Sequence, residues 1–397
     1  MVRVPLQRLL LPALRAHLAR GKSILLLGPR QVGKTTLVQQ LGAHASWSLL
    51  EAKLRQRYER DPDRLVLDVE AVAKKQPHPL IIIDEIQLVP DLMNAVQLLI
   101  DRHVAQFILT GSSARKLKHT GRVNLLPGRV VVLYLDPLSF EESQALDISL
   151  ENRLMFGALP AILQESNPAY QDTDLESYVE TYLEEEVRRE ALVRNLSAFG
   201  QFLELAAAQS GEIINLLKLS QEIGVAHSTI SAYYQILEDC LIAKRIEPYI
   251  QTKTRRRLTQ SPKYLFFDLG LRRVAAREGY PYPPTLLGKL FEQWVGLELL
   301  KRIHLYEPRA QLYFWRDHSG VEVDWVLKRH EQLIPIEVKW TEHPADADFR
   351  HLRVFMEEYG VKKAFIVCRT PVPYTQGEIE VIPWQALKNL WPAQVSS

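Results

Sequence analysis

Gly28-Pro29-Arg30-Gln31-Val32-Gly33-Lys34-Thr35 sets two glycines, a lysine and a hydroxyl at the spacing G-x-x-x-x-G-K-[ST]. The run lies between an apolar stretch, Ser23–Leu27, and a helical pattern opening at Thr36-Leu37-Val38. Glycines let successive backbone N–H groups wrap phosphate oxygens, while Lys34 suits the β- and γ-phosphates and Thr35 offers its hydroxyl to Mg2+. The chemistry this predicts is ATP binding. A second apolar run, Leu80-Ile81-Ile82-Ile83, delivers Asp84-Glu85. The first carboxylate suits magnesium, and the second can orient or deprotonate an attacking water. Hydrolysis is therefore expected rather than transfer to a small molecule, for which the remaining chain supplies no evident acceptor pocket. Phe107-Ile108-Leu109-Thr110-Gly111-Ser112-Ser113 ends a third run in hydroxyls. Thr110 and Ser112 are candidate sensors of the γ-phosphate or water, or equally a turn and cap. Arg115, Arg122 and Arg129 are candidate arginine fingers, and no spacing selects among them.

Such residues need strand ends to present them. Ser23–Leu27, Leu65–Leu67, Leu80–Asp84, Phe107–Thr110 and Val130–Leu135 read as short strands alternating with helical patterns, which predicts a parallel α/β sheet with its ligand at the carboxyl ends of the strands. Glu151 to Arg194 reads as helical, with an acidic run around Glu184-Glu185-Glu186. Asn195 to Glu247 reads as three helices, and Tyr264–Phe267, Gln311–Trp315, Val321–Leu327, Leu333–Val338 and Lys363–Cys368 as later strands.

Leu216 to Asp239 carries a helix, a glycine turn at Gly224 and a second helix capped by Ser228, the pattern of a helix-turn-helix. Ile230, Tyr234 and Leu237 are expected in its core, and Ser228, Thr229, Ser231, Tyr233 and Gln235 on its outer face. That face carries no arginine, so protein contact and DNA contact both stay open. Lys253-Thr254-Arg255-Arg256-Arg257 follows a strand expected to begin a wing. Lys253, Arg255, Arg256 and Arg257 form the best phosphate-binding run outside the glycine loop, unless they are a solvated loop.

In Gly320–Leu327 and Ile334-Pro335-Ile336-Glu337-Val338-Lys339, period-two alternation turns Glu337 and Lys339 to one face, beside Asp324 on a neighbouring strand. The set resembles the D…E-x-K core of restriction-type nucleases. That resemblance implies Mg2+ on Asp324 and Glu337 and a water oriented or deprotonated by Lys339. Glu322 rivals Asp324 on the same strand face, and a charged edge hairpin is the plain alternative.

The glycine loop with Thr36, Ile82-Ile83-Asp84-Glu85-Ile86-Gln87, Leu109-Thr110-Gly111-Ser112-Ser113, Asp136-Pro137-Leu138-Ser139-Phe140-Glu141-Glu142 and Gly157-Ala158-Leu159-Pro160 together resemble prokaryotic AAA-type (AAA_14) ATPases with a C-terminal DUF4143 region. The resemblance extends over nearly the whole chain. It implies an α/β architecture of a P-loop ATPase domain (1–150), a helical lid or linker (151–195), a winged helix-turn-helix (196–255) and a nuclease-like domain (256–397). It also makes Glu292, in Gly288-Lys289-Leu290-Phe291-Glu292, a further metal-ligand candidate.

Composition sets outer bounds. A chain of 397 residues exceeds one ordinary core. A charged fraction of 24% beside 47% hydrophobic residues suits a water-soluble globular protein. The balance of 49 basic and 47 acidic residues excludes a chain that coats nucleic acid throughout. Between Ala243 and Arg273, however, nine Lys and Arg residues face only Glu247 and Asp268, a segment suited to meet an anion, so any nucleic-acid contact is expected to be local. Cys240 and Cys368 are the only cysteines and form no zinc spacing, which predicts a reducing cytoplasm. Met1–Ala19 has no unbroken apolar core for a signal peptide or membrane span. The expected activity is an ATPase coupled to a DNA-directed C-terminal module. The alternative is a regulatory ATPase whose nuclease-like domain only binds protein or DNA. A homo-oligomer or a protein partner fits either.

Overall fold

The computed structural model describes residues 6–113, 128–183, 195–250 and 261–391. Its contacts divide the chain into two compact units. The first comprises Met1–Leu138, Leu159–Gln164 and Ile236–Ile242, and the second Ser139–Ala158, Glu165–Gln235 and Ala243–Ser397.

The first unit is built on five parallel strands: β1 (Ser23–Leu27), β2 (Ala45–Ser48), β3 (Leu80–Asp84), β4 (Gln106–Gly111) and β5 (Val130–Tyr134), in the order β2-β3-β4-β1-β5. β1 is buried at every position, as parallel strands covered on both faces must be, which is why its sequence is an unbroken apolar run. Leu25, Leu27, Ile81, Ile83, Phe107 and Leu109 pack with Val69, Met93 and Val96 of the flanking helices. The strand expected at Leu65–Leu67 is instead part of helix Arg64–Ala73. Leu65 and Val69, four apart, are buried while Leu67 is exposed, so the apolar period is that of a helix.

In the second unit, helix Leu196–Ala208 precedes the pair Leu216–Ile223 and His227–Asp239. Gly224 closes the first of that pair in a left-handed conformation (φ 74) that a side chain would strain. The following helix begins at His227, one residue ahead of the expected Ser228 cap, within the ordinary spread of helix ends. Ile230 and Tyr234 are buried as expected. Tyr233, expected on the outer face, is buried too, because its ring packs edge-on against Phe199 at 5.1 Å.

Eight strands complete this unit: β6 (Ala243–Pro248), β7 (Lys263–Phe266), β8 (Gln311–Arg316), β9 (Glu322–Arg329), β10 (Gln332–Val338), β11 (Ala364–Cys368), β12 (Tyr374–Gln376) and β13 (Ile379–Pro383). Their order is β12-β13-β11-β10-β9-β8-β6-β7. β6 pairs antiparallel with β7 and parallel with β8, so the strand after the helix-turn-helix lies inside the C-terminal sheet. The division expected at 255/256 falls between these paired strands. One face of the sheet is covered by the long helix Pro284–Tyr306 through Phe291, Val295 and Leu299, and the other by helix Arg350–Tyr359 through Leu352 and Phe355.

Candidate functional site

Three parallel strands end together at the glycine loop. The Gly28 N–H donates to Gly111 O (3.1 Å), and a Cβ at position 28 would collide with the Leu135 carbonyl. Only a glycine lets the chain leave β1 there. Gly33 (φ 93) and Gln31 (φ 61) are both left-handed; glycine adopts this freely, whereas Gln31 stores strain in the loop. Pro29, Arg30 and Val32 complete the turn, Pro29 and Val32 buried, and Thr36 is exposed on the first turn of helix Lys34–Gln39.

Lys34 is buried, and its Nζ donates to Gly28 O and Pro29 O, both at 2.9 Å, while standing 3.9 Å from Glu85 Oε1. The Thr35 hydroxyl donates to Asp84 Oδ2 at 3.1 Å. Thr110 donates its hydroxyl proton to Asp84 Oδ1 and accepts the Glu85 N–H at 3.0 Å. A carboxylate between two hydroxyls is an all-oxygen donor set, which fits a hard cation such as Mg2+. Glu85 takes a left-handed backbone (φ 58), and its Oε2 accepts from Ser112 Oγ (2.8 Å) and from Gln87 Nε2. Thr110 thus serves Asp84, and Ser112 serves Glu85.

The sequence assigns no role to two further contributors. Gln87, which closes the run Ile82–Gln87 of the family resemblance, donates to both Glu85 and Ser112 (2.9 Å to the latter). Arg8 donates to Val32 O (2.5 Å) and Asp136 O (2.6 Å), tying the loop to the segment after β5. No spacing announces an arginine that far upstream. Among the finger candidates, Arg129 makes a two-nitrogen contact with Asp101 (2.6 and 3.0 Å); Arg115 and Arg122 lie outside the described residues.

The C-terminal candidates meet on β9 and β10. Antiparallel pairing sets Ile336 opposite Trp325, which brings Asp324 and Glu337 side by side. Asp324 Oδ2 accepts the Val338 N–H (2.7 Å), and Glu337 Oε1 accepts from Lys339 Nζ (2.8 Å). Glu337 is 3% exposed, and its Oε2 has no hydrogen-bond partner, an acceptor that a hard cation would satisfy. Glu292 is drawn elsewhere: Lys263 Nζ lies 3.1 Å from its Oε1 and 2.7 Å from Glu322 Oε1. Among the described residues no group of three or more His, Cys, Asp or Glu side chains gathers closely enough to hold a metal ion. Asp324 and Glu337 are thus a pair of donors, with Glu292 apart.

Burial pushes Glu337 up to about 7 against the pull of Lys339, and burial together with Glu337 raises Asp324. For Lys339 burial opposes the charge, yet Glu337 and Asp324 outweigh it and hold the ammonium above the ordinary lysine range. Glu292, Glu322 and Asp324 do the same for Lys263 against its own burial. The basic run Lys253, Arg255, Arg256 and Arg257 lies outside the described residues. On the second helix of the helix-turn-helix, Ser228, Ser231 and Gln235 are exposed. No helix among the described residues is long and apolar enough to cross a membrane.

A parallel sheet with a G-x-x-x-x-G-K-[ST] loop after β1 and an Asp-Glu pair at the end of β3, with β4 between the two strands, defines a P-loop, ATPase-like domain. Residues 20–144 match the model described as an AAA domain, and 287–387 the domain of unknown function DUF4143; the chain carries both, the AAA_14 type with a DUF4143 region expected from its motifs. Between them, 148–280 match a second domain of unknown function, DUF8612. Uncharacterised proteins of Mycobacterium tuberculosis and Mycobacterium bovis are each 28% identical over 343 residues, covering 84% of this chain and 73% of theirs. One from Methanocaldococcus jannaschii is 24% identical over 294 residues, covering 61% of this chain and 60% of its own. Among solved structures, Cdc6p from Pyrobaculum aerophilum is similar at TM-score 0.31 and 13% identity, covering 74% of this chain and 96% of that one. The Bacillus subtilis DNA clamp loader delta protein is similar at TM-score 0.26 and 12% identity, covering 57% and 87%. Likeness at that level carries no argument, and the fold rests on the strand order and the loop.

Proposed function

We propose that the chain binds ATP with Mg2+, hydrolyses it, and uses the nucleotide state to switch a DNA-directed C-terminal module. The observation that carries hydrolysis is the Glu85 carboxylate. One of its oxygens is fixed by Ser112 and Gln87, and the other is turned toward Lys34, beside the chain of hydroxyls on Asp84. In this reading the backbone N–H groups from Arg30 to Gly33 hold the phosphates, and Lys34 exchanges its bonds to Gly28 O and Pro29 O for phosphate oxygens. Thr35 and Asp84 would hold magnesium, which when bound neutralises triphosphate charge. Glu85 accepts a hydrogen bond from the attacking water and orients it on the γ-phosphorus, with Thr110 keeping Asp84 in place. Phosphate release by the purified chain, measured with and without DNA, tests this: no turnover under either condition would refute it.

For the C-terminal half, the same proposal assigns a winged helix to 196–255 and a nuclease-like domain to 256–397. Asp324 and Glu337 would hold the divalent ion, Lys339 would orient water, and Lys253 with Arg255, Arg256 and Arg257 would meet phosphates. A second reading, an ATPase switch whose C-terminal domain binds without cutting, is favoured by one observation: every carboxylate of the cluster except Asp324 has a lysine within 3.1 Å. Cleavage of single-stranded, duplex or branched DNA with ATP and Mg2+ or Mn2+ separates the two. The setting we propose is cytoplasmic, with a homo-oligomer or protein partner.

A further inference from the structure

Lys263 is no part of the D…E-x-K pattern, yet it is the most deeply held cation of the cluster. It sits at the start of β7 and is 3% exposed, with Nζ 5.0 Å from the centre of the Phe314 ring and 5.7 Å from that of Trp325. From there it reaches Glu322 on β9 (2.7 Å) and Glu292 on helix Pro284–Tyr306 (3.1 Å). Trp325 Nε1 donates to Glu292 O (3.1 Å), so the ring that faces the ammonium also fixes the turn of helix bearing Glu292.

We propose that Lys263 is a built-in counter-cation that keeps Glu292 and Glu322 out of metal coordination, so that the cluster takes one divalent ion, on Asp324 and Glu337. The proposal rests on the reading that this pair binds a divalent ion.

Two features carry it. The first is asymmetry. Glu292 and Glu322 each give an oxygen to Lys263, and Glu322 also faces Arg316 at 3.6 Å, whereas Glu337 keeps a buried oxygen with no partner. An ion entering between Glu292 and Glu322 would meet an ammonium fixed by two aromatic faces, a like charge in a low-dielectric setting. The second is charge. Glu292, Glu322, Asp324, Glu337 and Asp348 are five carboxylates, and Lys263, Lys339 and Arg316 are the cations beside them among the described residues. With Asp324 and Glu337 ionised, as a bound ion requires, five negative charges less three positive ones leave two, the charge of one divalent ion.

Mn2+ binding to the full chain without nucleotide, followed by the electron paramagnetic resonance of the free ion, tests the assignment. The parent for this assay carries Asp84→Asn, which removes the carboxylate of the nucleotide site; it is expected to bind one ion that Asp324→Asn loses, and Glu292→Gln is expected to bind it as that parent does. Lys263→Gln frees Glu292 and Glu322, and a second ion is expected. A folded Lys263→Gln that still binds one ion overturns the proposal. So does a fall of about tenfold or more in affinity on Glu292→Gln, the scale of a lost metal-site contact. Removing a buried lysine strands two carboxylates and threatens folding. If circular dichroism shows Lys263→Gln unfolded, Glu292→Gln and Glu322→Gln decide together: parent-like binding in both supports the assignment, and a loss in either overturns it. A parent that binds no Mn2+ removes the metal reading and the proposal with it, an outcome distinct from a Glu292→Gln effect.

Discussion

Glu85→Gln separates nucleotide binding from hydrolysis. The amide keeps the size of the carboxylate, and with its oxygen at the Oε2 position it still accepts from Ser112 and Gln87, so the fold of the site is expected to survive. The NH2 group then falls where Oε1 was, 3.9 Å from Lys34 Nζ. Two charges at that separation attract by about 4 kcal/mol at an effective protein dielectric of about 20, an upper bound once both side chains are relaxed. Losing the attraction frees Lys34 for phosphate, so ATP affinity is expected to hold or tighten. Turnover loses the oxygen that accepts from water. General-base removal is worth about 10²-fold or more, or about 2.7 kcal/mol of barrier. Fluorescent-nucleotide titration gives the first quantity, and single-turnover phosphate release the second. Parent-like turnover would refute the role given to Glu85, and collapse of affinity would refute the account of Lys34.

Lys34→Ala removes a charge-assisted contact, and nucleotide affinity is expected to fall about 10- to 100-fold; unchanged titration would remove the lysine from the site. Gly28→Ala drives a methyl into the Leu135 carbonyl and is expected to cost about 1–3 kcal/mol, read as an earlier urea midpoint of the first unit. Glu337, pushed up to about 7 from an ordinary 4.5, binds more proton in the folded state than in the unfolded state across that window. The metal-free protein is therefore expected to lose stability as pH rises through it, and Glu337→Gln to flatten the slope in thermal melts. Mn2+ binding is expected to strengthen over the same rise, since the ion needs the carboxylate. Replacing Arg255, Arg256 and Arg257 together is expected to weaken binding to DNA of any sequence and to reduce the salt slope by about 0.9 per lost phosphate contact; an unaltered slope would make the run a solvated loop.

The nucleotide site was legible because its chemistry is local. Loop, lysine and hydroxyl are contiguous, and Asp84-Glu85 follows four apolar residues that make a buried strand readable. Errors arose where period or proximity decided. Leu65–Leu67 is too short a run to separate strand from helix, and Val69 one turn on held the answer. β2 went unread because Ala45-Ser46-Trp47-Ser48 is an edge strand with partly exposed side chains and no apolar run. On β10 alternation placed Glu337 beside Lys339, but it could not bring Lys263 to residues 29 and 59 positions away. Arg8 is the same case, joined to the loop only by tertiary folding.

The place of β6 in the C-terminal sheet bears on how such a chain can be inherited. Because β6 bonds β7 on one side and β8 on the other, a recombination break between 255 and 256 would split a hairpin, leave an unpaired backbone edge on β8, and detach one strand from its sheet. Open edges invite mispairing with other chains, so a recipient of either piece alone would carry an aggregation hazard. β6, β7 and the carboxylate strands are therefore expected to pass between genes as one cassette, kept together or lost together.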